Sequence, residues 1–214
     1  SLAGLSVEEA TVALTELGLT VNPTPGQIDS PTIAVGAVAD TDPPLGSQVA
    51  PGSEIQLLVS TGPRPIAVPA FAGMTEDQAV QAINDAPFTL VEPIIRQFDG
   101  TVAKGLVIDV LGADGASILA AGTYGELQNV TLIISSGPLP DVGGKSVDEA
   151  TQILAGVGLT ARVGKQDFSD YPEGSVAGID PESLTNGTAR EGDTIDLVIS
   201  RGPDLVQVPD VIGD

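Results

Sequence analysis

The 214-residue sequence contains no cysteine, no histidine and no tryptophan, and its only aromatic residues are four Phe and two Tyr. Without histidine or cysteine there is no Ser-His-Asp triad, Cys-His pair, zinc finger or haem ligand. No disulfide can form, so packing alone stabilises the chain, and the lack of thiols suits an oxidising setting. Basic residues are also scarce: eight Lys and Arg stand against 29 Asp and Glu, for a net charge of −21. A surface of that sign repels phosphates, which excludes nucleic acid as a partner. No apolar run reaches the roughly 18 residues of a transmembrane helix, and Ser1 opens no signal peptide. Membrane attachment is therefore expected only through a segment outside this sequence.

What the chain has in quantity is glycine and proline, 26 and 17 residues, on a background that is 42% apolar and 17% charged. That balance argues against wholesale disorder. Few aromatics and many turn formers argue for several small units rather than one large core. The charge is spread evenly, −7 over residues 1–63, −5 over 64–138 and −6 over 139–203. An even spread reads as a solvated, self-repelling surface rather than a site.

An internal repeat accounts for the glycines and prolines. Alternating apolar runs end in Gly-Pro three times, at Gly62-Pro63, Gly137-Pro138 and Gly202-Pro203, with the prolines 75 and 65 residues apart. A second marker opens the following helical pattern: Val68-Pro69-Ala70-Phe71, Leu139-Pro140-Asp141-Val142 and Val208-Pro209-Asp210-Val211. The expected organisation is one repeat over 1–63, cut at its N-terminus, a second over 68–138, a third over 139–203, and the start of another over 208–214. Because both ends cut the pattern, the sequence is expected to be an excerpt from a longer protein.

Each repeat begins with Ser or Thr three residues before Glu or Gln: Ser6/Glu9, Thr75/Gln78 and Ser146/Glu149. That spacing is a capping box. Apolar residues follow at helical spacing, Val7, Ala10, Leu14 and Leu17 in the first repeat and Val147, Ala150, Leu154 and Val157 in the third. The second repeat keeps Ala79 and Ile83. Gly18 and Gly158 end the outer helices, and Ala86-Pro87 ends the middle one. Short strands are predicted at 19–21 and 159–163, then, after a polar loop, near 36–40 and 174–179, with the Gly-Pro runs as last strands. The fold class is α+β, a tandem array of small domains, each one helix packed on about three strands. Short proline-bearing joints predict a semi-rigid, extended rod.

The V-P-x-x-x-G-x-S/T-x-x-x-A opening, the Asp-Pro turns at Asp42-Pro43 and Asp180-Pro181, and the V-x-L-x-x-S-x-G-P ending resemble PASTA repeats over essentially the whole chain. The second repeat departs from the pattern, with Leu111-Gly112 at the turn and extra residues around Thr123-Tyr124-Gly125-Glu126-Leu127. The resemblance implies the extracellular region of a membrane-anchored, eukaryotic-like serine/threonine kinase of a Gram-positive bacterium. It implies peptidoglycan fragments or a lipid-linked cell-wall precursor as ligand, and self-association by clustering as the signal. The segment itself is expected to be non-catalytic, with no cofactor and no metal. A passive spacer or adhesive stalk, and an accessory region of a penicillin-binding transpeptidase, remain open alternatives.

Within the third repeat, Arg162 and Lys165 form a rare basic pair, accompanied by Phe168 and Tyr171. These four are the candidate ligand-binding residues, the cations for stem-peptide carboxylates and the rings for apolar contact. Phe71 and Phe88 are expected in cores, whereas Phe98 and Tyr124 fall in loop-like, exposed stretches. The acid pairs at Asp40/Asp42 and Asp109/Asp114 lack the ligand number that a calcium loop needs.

Overall fold

Ser6 and Ser146 start their helices as the capping box predicts. In the computed structural model, which describes residues 1–205, helices α1 (Val7–Glu16), α2 (Glu76–Asp85) and α3 (Val147–Ala155) open the three repeats. The Ser6 hydroxyl accepts the Glu9 N–H at 3.2 Å, and the Glu9 carboxylate accepts the Ser6 N–H at 2.9 Å. Ser146 and Glu149 repeat this at 3.3 and 3.0 Å. The cap-residue N–H, then the cap hydroxyl, hold both carboxyls below the ordinary glutamate range. Gly18 and Gly158 follow the helices with φ of 74° and 81°, a left-handed geometry that favours glycine. The proposed opening of a further repeat at 208–214 lies outside the described residues.

The helical stripe is buried at Ala10 and Leu14, at Ala79 and Ile83, and at Ala150 and Leu154. Leu17 is a correction, since it is 73% exposed. It is the C-cap of α1, where the helix ends and the 3.6-residue period no longer directs the side chain inward. Its counterpart Val157 does pack against the core of the third repeat.

Each sheet is built on its last strand. The first repeat has β1 (Thr20–Val21), β2 (Gly26–Ile28), β3 (Val38–Asp42) and β4 (Glu54–Ser60). β1 and β2 run in succession along one edge of β4, parallel to it, and β3 pairs antiparallel on the other. The joint forms β5 (Pro65–Ala67). The second repeat has β6 (Thr89–Leu90), β7 (Ile95–Gln97), β8 (Val107–Leu111), β9 (Thr123–Gly125) and β10 (Asn129–Ser135). β6, β7 and β8 surround β10 as their counterparts surround β4. In the third repeat, β11 (Thr160–Asp167) covers the whole parallel edge of β13 (Thr194–Ser200) as one bulged strand, with β12 (Val176–Ile179) opposite. The polar loop expected after the first strand thus contains a second short strand. Its three residues are too few, and too exposed, to carry a period of two.

Alternate residues of the last strands, Ile55 and Leu57, Val130 and Leu132, Ile195 and Leu197, are buried. The serine that ends each strand is buried as well. The Ser60, Ser135 and Ser200 hydroxyls donate to the carbonyls of Ile33, Val102 and Tyr171 at 2.7–2.8 Å. Each also accepts the N–H of the glycine two residues on, at 2.9–3.0 Å. Those glycines have φ of 79–89°, which turns the chain out of the sheet. The S-x-G-P ending is therefore a hydroxyl clip that ties the strand end to a distant loop.

The contacts group the chain into two units, one of Ser1–Phe71, Asp77–Glu92 and Asp109–Leu132, the other of Ala72–Glu76, Pro93–Ile108 and the described chain from Ile133 onward.

Ser135→Ala strands the Val102 carbonyl and the Gly137 N–H together, so urea denaturation should show a loss of about 1–3 kcal/mol. The capping carboxylates contribute stability that is complete above the ordinary glutamate value and lost as pH falls through their lowered folded values. The stability difference between the parent and Ser146→Ala should accordingly narrow on acidification, as followed by urea midpoints against pH.

Candidate functional site

The four residues singled out in the third repeat do not converge on one ligand seat. Arg162, on β11, forms two bonds of 2.6 Å with the Asp196 carboxylate, its partner across the ladder on β13. This contact holds the Asp196 carboxyl below its ordinary range. Lys165 donates to Asp180 at 3.1 Å, which raises the ammonium pKa. An incoming carboxylate would have to displace an acid already fixed by the sheet. Phe168 is 46% exposed, and the guanidinium of Arg201 lies 4.5 Å from its ring centroid. Tyr171 instead braces the loop before α3: a Cβ on Gly143 would lie 2.7 Å from its hydroxyl, and Gly144 beneath the ring has φ of 73°. Arg201 occupies the variable position of S-x-G-P, and no periodicity marks it.

Phe98 corrects the expectation of an exposed ring. It is only 3% exposed and belongs to the core of the third repeat, although the second repeat supplies it. Its N–H donates to the Ala189 carbonyl at 2.8 Å, and its own carbonyl accepts the Thr188 hydroxyl at 2.6 Å. Next to it, the Glu191 N–H donates to the Arg96 carbonyl at 3.0 Å. One residue beyond the clip serine of β10, the Ser136 hydroxyl donates to the Glu191 carboxylate at 2.7 Å. The edge of β7 thus pairs with a turn of the third repeat and delivers an aromatic ring into it.

This joint leaves a cleft of about 400 Å³ lined by Pro93, Ile94, Ile95, Arg96, Arg190 and Glu191. Two of the eight basic side chains of the sequence line it. Arg96 pairs with Glu76 at 2.7 Å, while the Arg190 guanidinium has no acid partner among the described residues. A larger hollow of about 670 Å³ lies on the first repeat between Leu2, Leu14, Leu17, Pro43 and Val49, and no Asp, Glu, Lys or Arg side chain lines it.

The other joint is assembled from the extra residues of the second repeat. β5 pairs antiparallel with β9, Pro65 opposite Gly125 and Ala67 opposite Thr123. Arg64 forms two bonds of 3.0 and 2.8 Å with Glu126. Tyr124, expected in an exposed stretch, is half-buried, edge-on to Phe88 with ring centroids 5.7 Å apart. Its hydroxyl accepts the Ala113 N–H at 2.8 Å and donates to the Asn129 carbonyl at 3.2 Å. Phe71 and Phe88 are buried in cores as expected.

The PASTA domain family matches residues 1–61 and 138–201, more than half of the sequence. The chain belongs to the PASTA-domain family. The second PASTA-like repeat, with its altered turn and its insertion, falls outside the match but has the same strand arrangement. Over 215 residues the chain is 29% identical to a probable serine/threonine-protein kinase PknB of Corynebacterium glutamicum, covering 99% of the chain and 31% of the kinase. Over 187 residues it is 32% identical to serine/threonine-protein kinase PknB of Mycobacterium tuberculosis, covering 85% of the chain and 28% of the kinase. The extracellular region of the Ser/Thr kinase PrkC from Staphylococcus aureus aligns with 97% of this chain and 71% of that one, at 21% identity and a TM-score of 0.45. The PASTA chain thus spans about a third of the length of the curated relatives it matches.

Truncating Phe98 to Ala should cost about 3–5 kcal/mol, the loss typical of a buried aromatic. The loss should appear in the third PASTA repeat, which does not contain the substitution, as faster amide exchange at Leu197.

Proposed function

We propose that this PASTA array is the extracellular, non-catalytic sensor segment of a membrane-anchored bacterial serine/threonine kinase, and that it binds peptidoglycan fragments through their peptide stems. The observation that carries this reading is similarity along 99% of the chain to one third of a kinase, with catalysis assigned to the part not covered. No helix among the described residues is long and apolar enough to cross a membrane, so the anchor is assigned to another segment.

The cleft beside Arg96 and Arg190 is the seat we propose for the ligand. A stem peptide presents carboxylates and small apolar side chains, and the cleft offers, beside Pro93 and Ile95, the Arg190 guanidinium, which pairs with no acid among the described residues. Because the seat is exposed, binding weakens with salt. Ligand-driven clustering is the simplest way for such a segment to signal, since co-localised kinase domains meet at higher effective concentration. The closely built joints favour one other reading, a spacer that holds its anchor away from a binding partner.

An NMR titration of the full chain with a muropeptide bearing its stem peptide separates the two. The sensor reading predicts amide shifts confined to residues around Arg96 and Arg190, and affinity about tenfold weaker in Arg190→Ala. No shifts at millimolar muropeptide would leave the spacer. Shifts centred on Arg162 and Lys165 would move the seat to the third repeat.

A further inference from the structure

Backbone hydrogen bonds place Asp29, Phe98 and Phe168 at one position of the repeat. In each case the residue lies between a carbonyl and an N–H that engage the S-x-G-P ending. Ile28 and Ser30 bond Thr61 and Gly62, Gln97 and Asp99 bond Ser136 and Gly137, and Asp167 and Ser169 bond Arg201 and Gly202. The middle residue points its backbone away from its own last strand, toward whatever lies beside that edge.

The three repeats use this position differently. Phe98 enters the next repeat and is buried there, with its N–H on Ala189 and its carbonyl on Thr188. Asp29 accepts the Thr61 hydroxyl at 2.7 Å, and its repeat is joined instead through the β5–β9 ribbon and the Arg64–Glu126 pair. Phe168 carries the aromatic residue without the socket. Its ring is covered on one side by Arg201, and its N–H turns back to the Asp167 carboxylate at 2.8 Å. Both polar and apolar groups that Phe98 satisfies in a neighbour are met here by local substitutes.

We infer that Phe168 and the end of β11 form the docking surface for a following PASTA repeat, one that offers a turn like Thr188–Glu191 and an apolar socket behind it. The sequence opens such a repeat at Val208-Pro209-Asp210-Val211. In the docked state the Phe168 N–H exchanges Asp167 for a carbonyl of the incoming turn, and the exposed half of the ring leaves water. The residue at this position decides the kind of joint: phenylalanine plugs the next core, and aspartate leaves the joint to the linker. The spacer does not decide it, on this account, although residues 204–207 match residues 64–67 in length while nothing separates Pro138 from Leu139.

The test uses the whole chain and an extension of it, in which residues 1–213 continue into a second copy of residues 145–203. The added repeat then carries the socket already seen to accept Phe98. Since the sequence has no tryptophan, Phe168→Trp gives a single reporter, and Phe98→Trp in the unextended chain gives the buried reference. Extension should move the Phe168→Trp emission to the blue and lower its acrylamide quenching toward that reference. Amide exchange at Phe168 in the extended chain without substitutions is the second readout, and it does not depend on an indole fitting the socket. Slower exchange there supports docking whatever the indole does. Exchange equal to that of the 214-residue chain overturns the proposal and makes the four-residue spacer, not the phenylalanine, the determinant of the joint.

Discussion

A helix of nine or ten residues on one face of a sheet of three or four short strands is a small core, and that limit shapes everything else in this chain. Only about a dozen large apolar side chains are fully buried along the described chain. A domain this short buries a modest share of its surface by itself. The second repeat therefore gives its Phe98 to the third, where ten buried residues form one cluster around Ala150, Leu154 and the β13 face. The consequence is that the joint between these repeats is part of a core, not a tether.

The hydroxyl clip links the cores to the joints. Ser135 fixes the end of β10 from inside, and this sets Ser136, one residue on, where its hydroxyl reaches Glu191. The same clip in the third repeat presents Arg201 over Phe168. The identity of one residue outside a conformationally fixed turn thus changes what the end of a repeat can meet. Acidic residues are spread along the whole sequence, and among the described residues four of the eight cations are paired, Arg64 with Glu126, Arg96 with Glu76, Arg162 with Asp196 and Lys165 with Asp180. The Arg190 guanidinium pairs with no acid among the described residues and lies at a cleft walled in part by Pro93 and Ile95.

Much of the fold was legible because its signals are local. The capping boxes at Ser6 and Ser146, the apolar stripe and the alternating last strands each lie within one turn or one strand, and they appear where the sequence places them. β2 and β7 were not legible, because three residues on an edge carry no alternation. Leu17 failed for a related reason, lying one residue past the helix whose period it seemed to continue. The candidate site was less legible than the fold. Composition marks Arg162 and Lys165 as unusual, but only the folded chain shows that Asp196, across the ladder, and Asp180, just beyond β12, already pair with them. Phe98 and Tyr124 look like loop residues in sequence because the groups that cover them lie roughly 90 and 36 residues away or across a joint. The insertion of the second repeat likewise gains meaning only from β5, its partner.

The second and third repeats share a core through Phe98. Native-state hydrogen exchange in increasing denaturant tests it most directly, by comparing amides of Ile134 on β10 with those of Leu197 on β13. A shared core predicts that the two sets open with the same free energy and the same dependence on denaturant. Two separate isotherms, with Leu197 keeping its protection after Ile134 has lost its own, would contradict it.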